Sequence, residues 1–185
     1  ARTVLLLEQR PQVGLVYHDA VVIDEAGKEM PSGRRRPYVA GRVTQDLFIY
    51  DFIFTPTVVC RRELLCRAGA FDRSMVPSED YDLWLKMSLL CEFAFVDAPL
   101  MYRRRHGGNI SLAKGRNDVL RAVLKERFWQ QHGRQAGIAP AVARSVLAKA
   151  FYHAARSVWR YEGHRQASRR LLRQVWHYQP LHPRA

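Results

Sequence analysis

The sequence is poor in cysteine and in long apolar runs, and its last part is poor in acidic residues. Three cysteines, Cys60, Cys66 and Cys91, are odd in number and lack C-x-x-C spacing. This argues against a disulfide framework or a zinc site and favours reduced, buried thiols. No apolar run approaches the ~18 residues that a membrane-spanning helix needs. No signal peptide stands out, and the chain opens with Ala1 inside a helical pattern, so we expect a piece of a longer protein.

Charge is distributed unevenly along the 185 residues. The net charge is +13, but residues 1–115 hold 16 basic and 14 acidic side chains, whereas residues 116–185 hold 14 and 3. The two regions therefore face different surroundings. The basic region suits an anionic membrane surface, a nucleic acid or an acidic protein. Nucleic acid is the least favoured of these partners, because no recognised nucleic-acid-binding motif is present.

Apolar patterning divides the chain into an α/β part and an α-helical part. Strands are predicted at residues 13–23, 54–60, 93–96 and 100–104. Short helices are predicted at residues 3–9, 42–51, 61–68 and 78–91. Longer helical patterns cover residues 117–132, 139–161 and 164–177. We therefore expect an α/β domain with a mixed sheet and flanking helices over residues 1–112, followed by a basic extension containing a helical hairpin over residues 113–185.

The segment SEDYDLWL, residues 78–85, crowds three carboxylates into four positions directly before an apolar run. Ser78 is predicted to be the N-cap of a helix whose dipole favours acids in the first turn. Acidic first turns are common in ordinary helices, so this interpretation alone assigns no function. Helical spacing places Glu79 and Asp82 on one face and Asp80 and Trp84 on another. Asp80 can therefore point into a cleft, as a general base for a hydroxyl or as a ligand.

A second candidate segment, YRRRHGGNIS, covers residues 102–111. Arginines offer fork-shaped donors and glycines let backbone N–H groups approach, which suits a phosphate. His106 is a candidate ligand of a phosphate or a divalent metal. The simpler alternative is an exposed basic turn.

Each of three weaker features has both a structural and a functional interpretation. Thr55-Pro56-Thr57 is either a cleft-lining segment or an ordinary strand entry, and His18-Asp19 either lines a site at a strand end or caps that strand. The C-terminal helices carry arginines and aromatic residues that suit a membrane surface or merely form a solvated face. These residues are Arg156, Trp159, Arg160, Tyr161, Arg165, Arg169, Arg170, Arg173, Trp176 and Tyr178.

The order of these segments resembles a known family. The chain reads VGLVYHDAVVIDEAGK, then TPTVVCRRELLCRAGAFD, SEDYDLWLKM and PLMYRRRHGGNIS. Over about residues 4–112 it is similar to the second half of the family 2 inverting glycosyltransferases with a GT-A fold. In that family an ID-x-x-G turn, a GgFD helix end, an ED helix start and a yR-x-H strand end follow one another. No Q-x-x-R-W pattern follows, so the resemblance is to non-processive members.

The resemblance implies a role for each candidate residue. Asp80 matches the catalytic base, which takes the proton of an acceptor hydroxyl as that oxygen attacks the anomeric carbon of a nucleotide sugar. Acceptor binding is expected of four residues: Glu79, Asp82, Trp84 and Thr57. Three residues are expected near the diphosphate and its metal, with His106 as the candidate metal ligand: Arg103, Arg105 and His106.

The resemblance also implies partners that the chain does not itself supply. The donor is a nucleotide-diphosphate sugar, the acceptor a saccharide, a lipid-linked sugar or a protein, and the cofactor Mg²⁺ or Mn²⁺. Its main ligands are expected in the family's N-terminal, nucleotide-binding half, so we expect this piece alone to be inactive and to expose a sheet edge and apolar surface. The alternative is a non-catalytic module that binds a membrane surface or a protein through its basic helices. We expect a cytoplasmic location, with peripheral attachment to the inner face of the membrane as a further expectation.

Overall fold

The computed structural model describes residues 2–31, 38–106 and 114–180 of the chain. Their helices and strands are α1 (Arg2–Gln9), β1 (Val13–Ile23), α2 (Thr44–Ile49), β2 (Val59–Cys60), α3 (Arg62–Arg67), α4 (Glu79–Ser88), β3 (Glu92–Arg104), α5 (Lys114–His132), α6 (Pro140–Ser157) and α7 (Arg165–Tyr178). Short 3-10 turns lie at Thr55–Thr57 and Arg73–Met75, and a π-helical turn at Val158–Glu162. The predicted α/β class with a mixed sheet and flanking helices is confirmed at this level of detail.

The chain divides into two compact units. The sheet unit comprises Ala1–Asp72 and Asp80–Asn109, and the helical unit comprises Arg73–Glu79 and Ile110–Ala185. The predicted domain boundary between residues 112 and 113 lies outside the described residues and stays a prediction. Outside them too lies the glycine-containing end of the segment at residues 102–111.

The sheet of the first unit has the strand order β2-β1-β3. Strand β1 is antiparallel to β2 and parallel to β3, and its first five residues are buried, as its unbroken apolar sequence predicts. The two strands predicted at residues 93–96 and 100–104 are one strand, whose register shifts where Asp19 faces Pro99. Pro99 is tolerated because β3 lies at an edge of this three-stranded sheet, where a missing N–H leaves no ladder partner unbonded.

The strand predicted at residues 54–60 is wrong for most of its length. Thr55–Thr57 form a 3-10 turn, and only Val59 and Cys60 pair with β1. Pro56 cannot donate to a ladder, and Thr57 folds back on the chain, because its hydroxyl donates to the Phe54 carbonyl at 2.7 Å. Local hydrogen bonds therefore replace the strand pairing that the β-branched residues suggested.

Apolar side chains on β1, β3 and their flanking helices form the core of the sheet unit. One cluster joins Leu7 of α1 to Val13 and Val16 of β1 and Ala94 of β3. Gly14 lies against the side chains of Leu64 and Cys91, which leaves no room for a Cβ at this position. The close approach of β1 to its covering residues thus depends on a glycine.

The thiols differ in exposure from the prediction. All three cysteines are free, but Cys66 is exposed, whereas Cys60 and Cys91 are half-buried. Burial raises the pKa of the Cys91 thiol to about 11 and also raises that of Cys60. The expectation of three buried thiols is therefore wrong for Cys66, which lies on the solvent side of the short helix α3.

The helical unit is built from α5, α6 and α7, with α6 packed against both of the others. Its central cluster is composed mostly of small or aromatic residues: Ala122, Ala148, Phe151, Ala154 and Val175. The helix predicted at residues 139–161 changes at Val158 into a π-helical turn. Gly163 ends this turn with a φ of 68°, a conformation that costs glycine little.

Within the described ranges, 2–31, 38–106 and 114–180, the helices are all too short or too polar to cross a membrane.

Candidate active site

Helix α4 places the predicted acidic residues, and it begins at Glu79. The predicted capping role of Ser78 is not seen, since its buried Oγ makes no hydrogen bond to any described residue. Asp80 supplies an oxygen to the first turn instead, because its Oδ1 accepts from the Tyr81 N–H at 2.7 Å. The acidic start of the helix therefore depends on Asp80 rather than on the serine before it.

The second oxygen of Asp80 is also engaged. Its Oδ2 accepts a short hydrogen bond from the Thr55 hydroxyl in the 3-10 turn. Both contacts lie in the sheet unit and hold the half-buried carboxylate in one orientation. A carboxylate can accept about four hydrogen bonds, so each Asp80 oxygen keeps capacity for a further donor such as a substrate hydroxyl.

Arg103 of β3 reaches the same turn from another side. Its guanidinium carbon lies 4.6 Å from the centre of the Phe54 ring, within cation–π range. Phe54 directly precedes Thr55, so two consecutive residues contact a carboxylate and a guanidinium. The 3-10 turn thus connects the predicted base with one of the predicted phosphate-facing residues, which are 23 positions apart in the sequence.

This arrangement has a definite chemical capacity. Asp80 is an oriented proton acceptor, and Arg103 is a permanent cation that can face a developing negative charge. Acid and base chemistry of this kind suits the removal of a hydroxyl proton beside an anionic leaving group.

The structure gives other predicted acceptor residues structural partners. Asp82 is buried and forms an ion pair with Lys86 one helical turn later. Thr57 is 1% exposed, and its hydroxyl closes the 3-10 turn on Phe54. Trp84 is buried with its ring edge-on to Phe71, and its Nε1 meets no hydrogen-bond acceptor among the described residues. These contacts describe how the residues are held, and their acceptor role stays a prediction.

Glu79 belongs to the helical unit by its contacts, whereas Asp80 belongs to the sheet unit. One carboxylate oxygen of Glu79, Oε2, is buried without a hydrogen bond to any residue in the described ranges. Its predicted role at the acceptor also stays a prediction.

The predicted phosphate-facing segment lies at the end of β3. Arg103 is half-buried, whereas Arg105 and His106 are exposed. Arg104 lies between them and donates to the carbonyl oxygens of Asp24 and Glu25, at 3.0 and 2.7 Å. The structure thus brings Arg103 to the Asp80 turn and uses Arg104 to hold the turn after β1.

A protein metal site needs several donor side chains grouped together. No three His, Cys, Asp or Glu side chains are grouped to hold a metal ion among residues 2–31, 38–106 and 114–180. The described residues, His106 included, do not supply a site of three such ligands, and the role of His106 as a metal ligand stays a prediction.

The weaker candidates His18 and Asp19 lie within β1 and make local contacts. The Asp19 carboxylate accepts from the Tyr38 hydroxyl at 2.7 Å, and His18 Nδ1 lies 2.7 Å from the Asp19 carbonyl oxygen. Tyr38 in turn stacks on Phe95 at 4.1 Å between ring centres. Both the strand-cap and the strand-end-site predictions for this pair are therefore wrong, because β1 continues through Ile23 and stays paired with β3 beyond Asp19.

One residue of the candidate site, Phe54, was missed from the sequence, and Thr55 was named only as part of the weak candidate segment Thr55-Pro56-Thr57. Thr55, rather than Thr57, contacts Asp80, and Phe54 carries Arg103. In an extended strand, residues 55 and 57 would lie on the same face, so that either hydroxyl could reach Asp80. The signal was Pro56, which favours a turn and so separates the two hydroxyls.

Comparison of the sequence with protein-family models gives no match, and comparison with curated proteins gives none either.

Proposed function

We propose that the sheet unit is the acceptor-side half of an inverting glycosyltransferase with a GT-A fold, with Asp80 as general base. The observation that carries this proposal is the Asp80 carboxylate, oriented by Thr55 and Tyr81 at the start of α4. The mixed sheet and the ordered motifs along residues 4–112 support the fold assignment.

The proposed reaction uses few groups of this chain. The acceptor hydroxyl donates to Asp80, and its oxygen forms a bond to the anomeric carbon while the bond from that carbon to the diphosphate oxygen breaks. The hydroxyl proton passes to the Asp80 carboxylate, and the electron pair leaves with the nucleoside diphosphate. In this proposal Arg103 stabilises the negative charge of the leaving group. Attack from the face opposite the diphosphate inverts the anomeric configuration.

The proposed reaction also requires a half that binds the nucleotide-sugar donor. A nucleotide-binding segment, in the same polypeptide or in a partner, holds the nucleotide sugar and the Mg²⁺ or Mn²⁺ that the family uses. When bound, that metal neutralises charge on the diphosphate.

Substitution of Asp80 by Asn tests the base assignment. In a form of the protein that includes a nucleotide-binding half, Asp80→Asn should lower the transfer rate by at least about 10²-fold, because the amide cannot accept the proton. Affinity for the nucleotide sugar should stay the same. The measurement is sugar transfer to acceptor together with donor binding by calorimetry.

Two further variants sharpen this test. Thr55→Val should lower the rate by about tenfold through loss of orientation of Asp80. Asp97→Asn is the matched control, since Asp97 is an exposed aspartate on β3 of the same unit, and it should change nothing. Full transfer by Asp80→Asn would remove Asp80 from the role of base.

A second candidate function, association with an anionic membrane surface, has its own supporting observation. The apolar side of α7 is already used inside the helical unit, where Leu171, Leu172 and Val175 pack against α6 and its neighbours. The exposed side carries Arg169, Arg170 and Trp176. Arginine and tryptophan at a surface suit contact with lipid headgroups without insertion of the helix.

Charge reversal on α7 tests this candidate. Arg169→Glu with Arg170→Glu should abolish sedimentation of the chain with vesicles that contain anionic lipid at low salt. Arg42→Glu with Arg62→Glu changes the net charge equally at exposed positions of the sheet unit and should leave sedimentation intact. Equal sedimentation of both double variants and the wild type would contradict a role for α7.

A further inference from the structure

The helical unit contains an open cavity of about 250 Å³ beside the π-helical turn. Six residues line it: Asp118 of α5, His153, Arg156 and Ser157 of α6, and Arg160 and Tyr161 of the turn. The cavity is smaller than a pocket for a drug-sized molecule and fits a ligand of a few carbon atoms. None of its lining residues is among those proposed for sugar transfer.

Two arginines line the cavity, and both are exposed. Neither Arg156 nor Arg160 forms an ion pair with a residue in the described ranges. They are four positions apart and straddle the transition from α6 to the π-helical turn, and both residues line one cavity. Two guanidinium groups in one small cavity are suited to a phosphoryl group, whose oxygens accept paired N–H bonds.

The acids of this region are engaged elsewhere, with one exception that lies in the cavity. Residues 116–185 contain only Asp118, Glu126 and Glu162 as acidic residues. Glu126 accepts from the Tyr178 hydroxyl, and the Glu162 carboxylate lies against Gly115 in the first turn of α5, where a side chain would collide with it. Asp118 remains in the cavity and accepts a short hydrogen bond from Ser157.

The carboxylate of Asp118 defines the rest of the ligand. One of its oxygens is bonded to Ser157, which fixes the carboxylate at the cavity wall. A carboxylate repels a bare anion but accepts hydrogen bonds from hydroxyl groups. A ligand that fits both walls therefore has a phosphoryl group beside one or more hydroxyls.

We propose that this cavity binds a small phosphate ester that carries hydroxyl groups, with Arg156 and Arg160 on the phosphoryl group and Asp118 on a hydroxyl. Glycerol 3-phosphate has this chemistry in free form, and the headgroup of phosphatidylglycerol has it at a membrane surface. A π-helical turn at the cavity agrees with such a role, because π-turns inside helices often lie at functional sites.

Calorimetric titration of the full chain at low salt tests the proposal. Glycerol 3-phosphate should bind with a dissociation constant of about 1 mM or below, and inorganic phosphate more weakly. Arg156→Gln with Arg160→Gln should weaken glycerol 3-phosphate binding by at least about tenfold. Arg134→Gln with Arg144→Gln is the matched control, because these exposed arginines of the helical unit remove the same charge and lie outside the cavity lining.

Two more variants keep the result interpretable. Arg156→Lys with Arg160→Lys retains both charges and loses the forked donors, so binding should be weakened several-fold even if the glutamine variant folds poorly by circular dichroism. Asp118→Asn should strengthen the binding of inorganic phosphate and reduce the preference for glycerol 3-phosphate. An unchanged preference would overturn the assignment of the hydroxyl to Asp118.

Vesicles distinguish the two sources of the ligand. Stronger binding to phosphatidylglycerol than to phosphatidylserine vesicles, with competition by glycerol 3-phosphate, identifies a lipid headgroup. Binding of the soluble ester without a preference between vesicles identifies a free metabolite. The proposal is overturned if wild type and the Arg156→Gln, Arg160→Gln variant bind all probes alike, or if wild type binds none of them.

Discussion

Tyr17 of β1 is a buried phenol whose ionisation is linked to the stability of the folded chain. Its ring is 3% exposed and lies between Phe52 and Phe95, while its hydroxyl donates to the Val39 carbonyl at 2.8 Å and accepts from the Val39 N–H at 3.1 Å. Burial raises the pKa of this phenol to about 12, with the nearby Asp19 carboxylate acting in the same direction. The folded chain therefore favours the neutral phenol more than the unfolded chain does.

Stability should consequently fall in alkali, and part of that fall should depend on Tyr17. Because the folded-state pKa is raised, the stabilisation is complete below pH 10 and is lost as the pH rises towards about 12. Over this window Tyr17→Phe should lose less free energy of unfolding than the wild type, as measured by urea denaturation at each pH. Tyr102→Phe removes an exposed phenol and should follow the wild type. Parallel curves for Tyr17→Phe and wild type would contradict the argument.

At the scale of elements, α6, the π-helical turn and α7 pack together at one junction in the helical unit. The Val158 N–H donates to the carbonyls of both Ala154 and Ala155, because the hydrogen-bond pattern changes there. Ser168 of α7 is buried and donates to the same Ala155 carbonyl at 2.9 Å. A hydroxyl from one helix thus completes the bonding of a carbonyl at the irregular end of another.

Loss of that hydroxyl should be measurable. Ser168→Ala should lower the free energy of unfolding by about 1 kcal/mol, since it removes a buried hydrogen bond and adds no strain. Gln174→Ala changes an exposed position on α7 and serves as control in the same urea titration. A Ser168→Ala variant as stable as the control would show that the bond contributes nothing net.

At the scale of the whole molecule, charge separates the two regions of the chain. The net charge of +13 comes mainly from residues 116–185, which hold 14 basic and 3 acidic side chains. The interior of the helical unit is apolar, and its cluster contains no charged residue, so its arginines lie outside that cluster. The chain therefore combines a nearly balanced α/β region with a strongly basic helical one.

Any association with an anionic surface should in consequence depend steeply on salt. Sedimentation with anionic vesicles should fall by at least about tenfold as the Debye length shrinks from roughly 30 Å to 10 Å, between 0.01 M and 0.1 M salt. Vesicles of neutral lipid are the control and should bind little at either concentration. Binding that is insensitive to salt would mean that apolar contacts, and not the arginines, hold the chain on the membrane.

Some elements of the molecule can be predicted from the sequence and others cannot, and the difference has physical reasons. Strand β1 and helices α5, α6 and α7 follow from apolar periodicity, because each is long enough for burial to dominate its pattern. The turn at Thr55–Thr57 does not, because β-branched residues favour a strand and only the bonds of Thr57 to Phe54 decide otherwise. The two strands predicted at residues 93–96 and 100–104 are likewise one strand, β3, because the break between them is only a shift in its register opposite β1.

The sequence by itself determined the α/β class, the long helices and the uneven charge, since these depend on local pattern and composition, while Asp80 was singled out by the resemblance of the ordered motifs to a known family. Only the tertiary structure decided three contacts. Thr55 orients Asp80, Arg103 lies over the Phe54 ring, and Arg156 and Arg160 line the same cavity as Asp118. Contacts of this second kind join residues that are distant in the chain or lie on irregular turns. Their geometry depends on how whole elements pack, which no local pattern specifies.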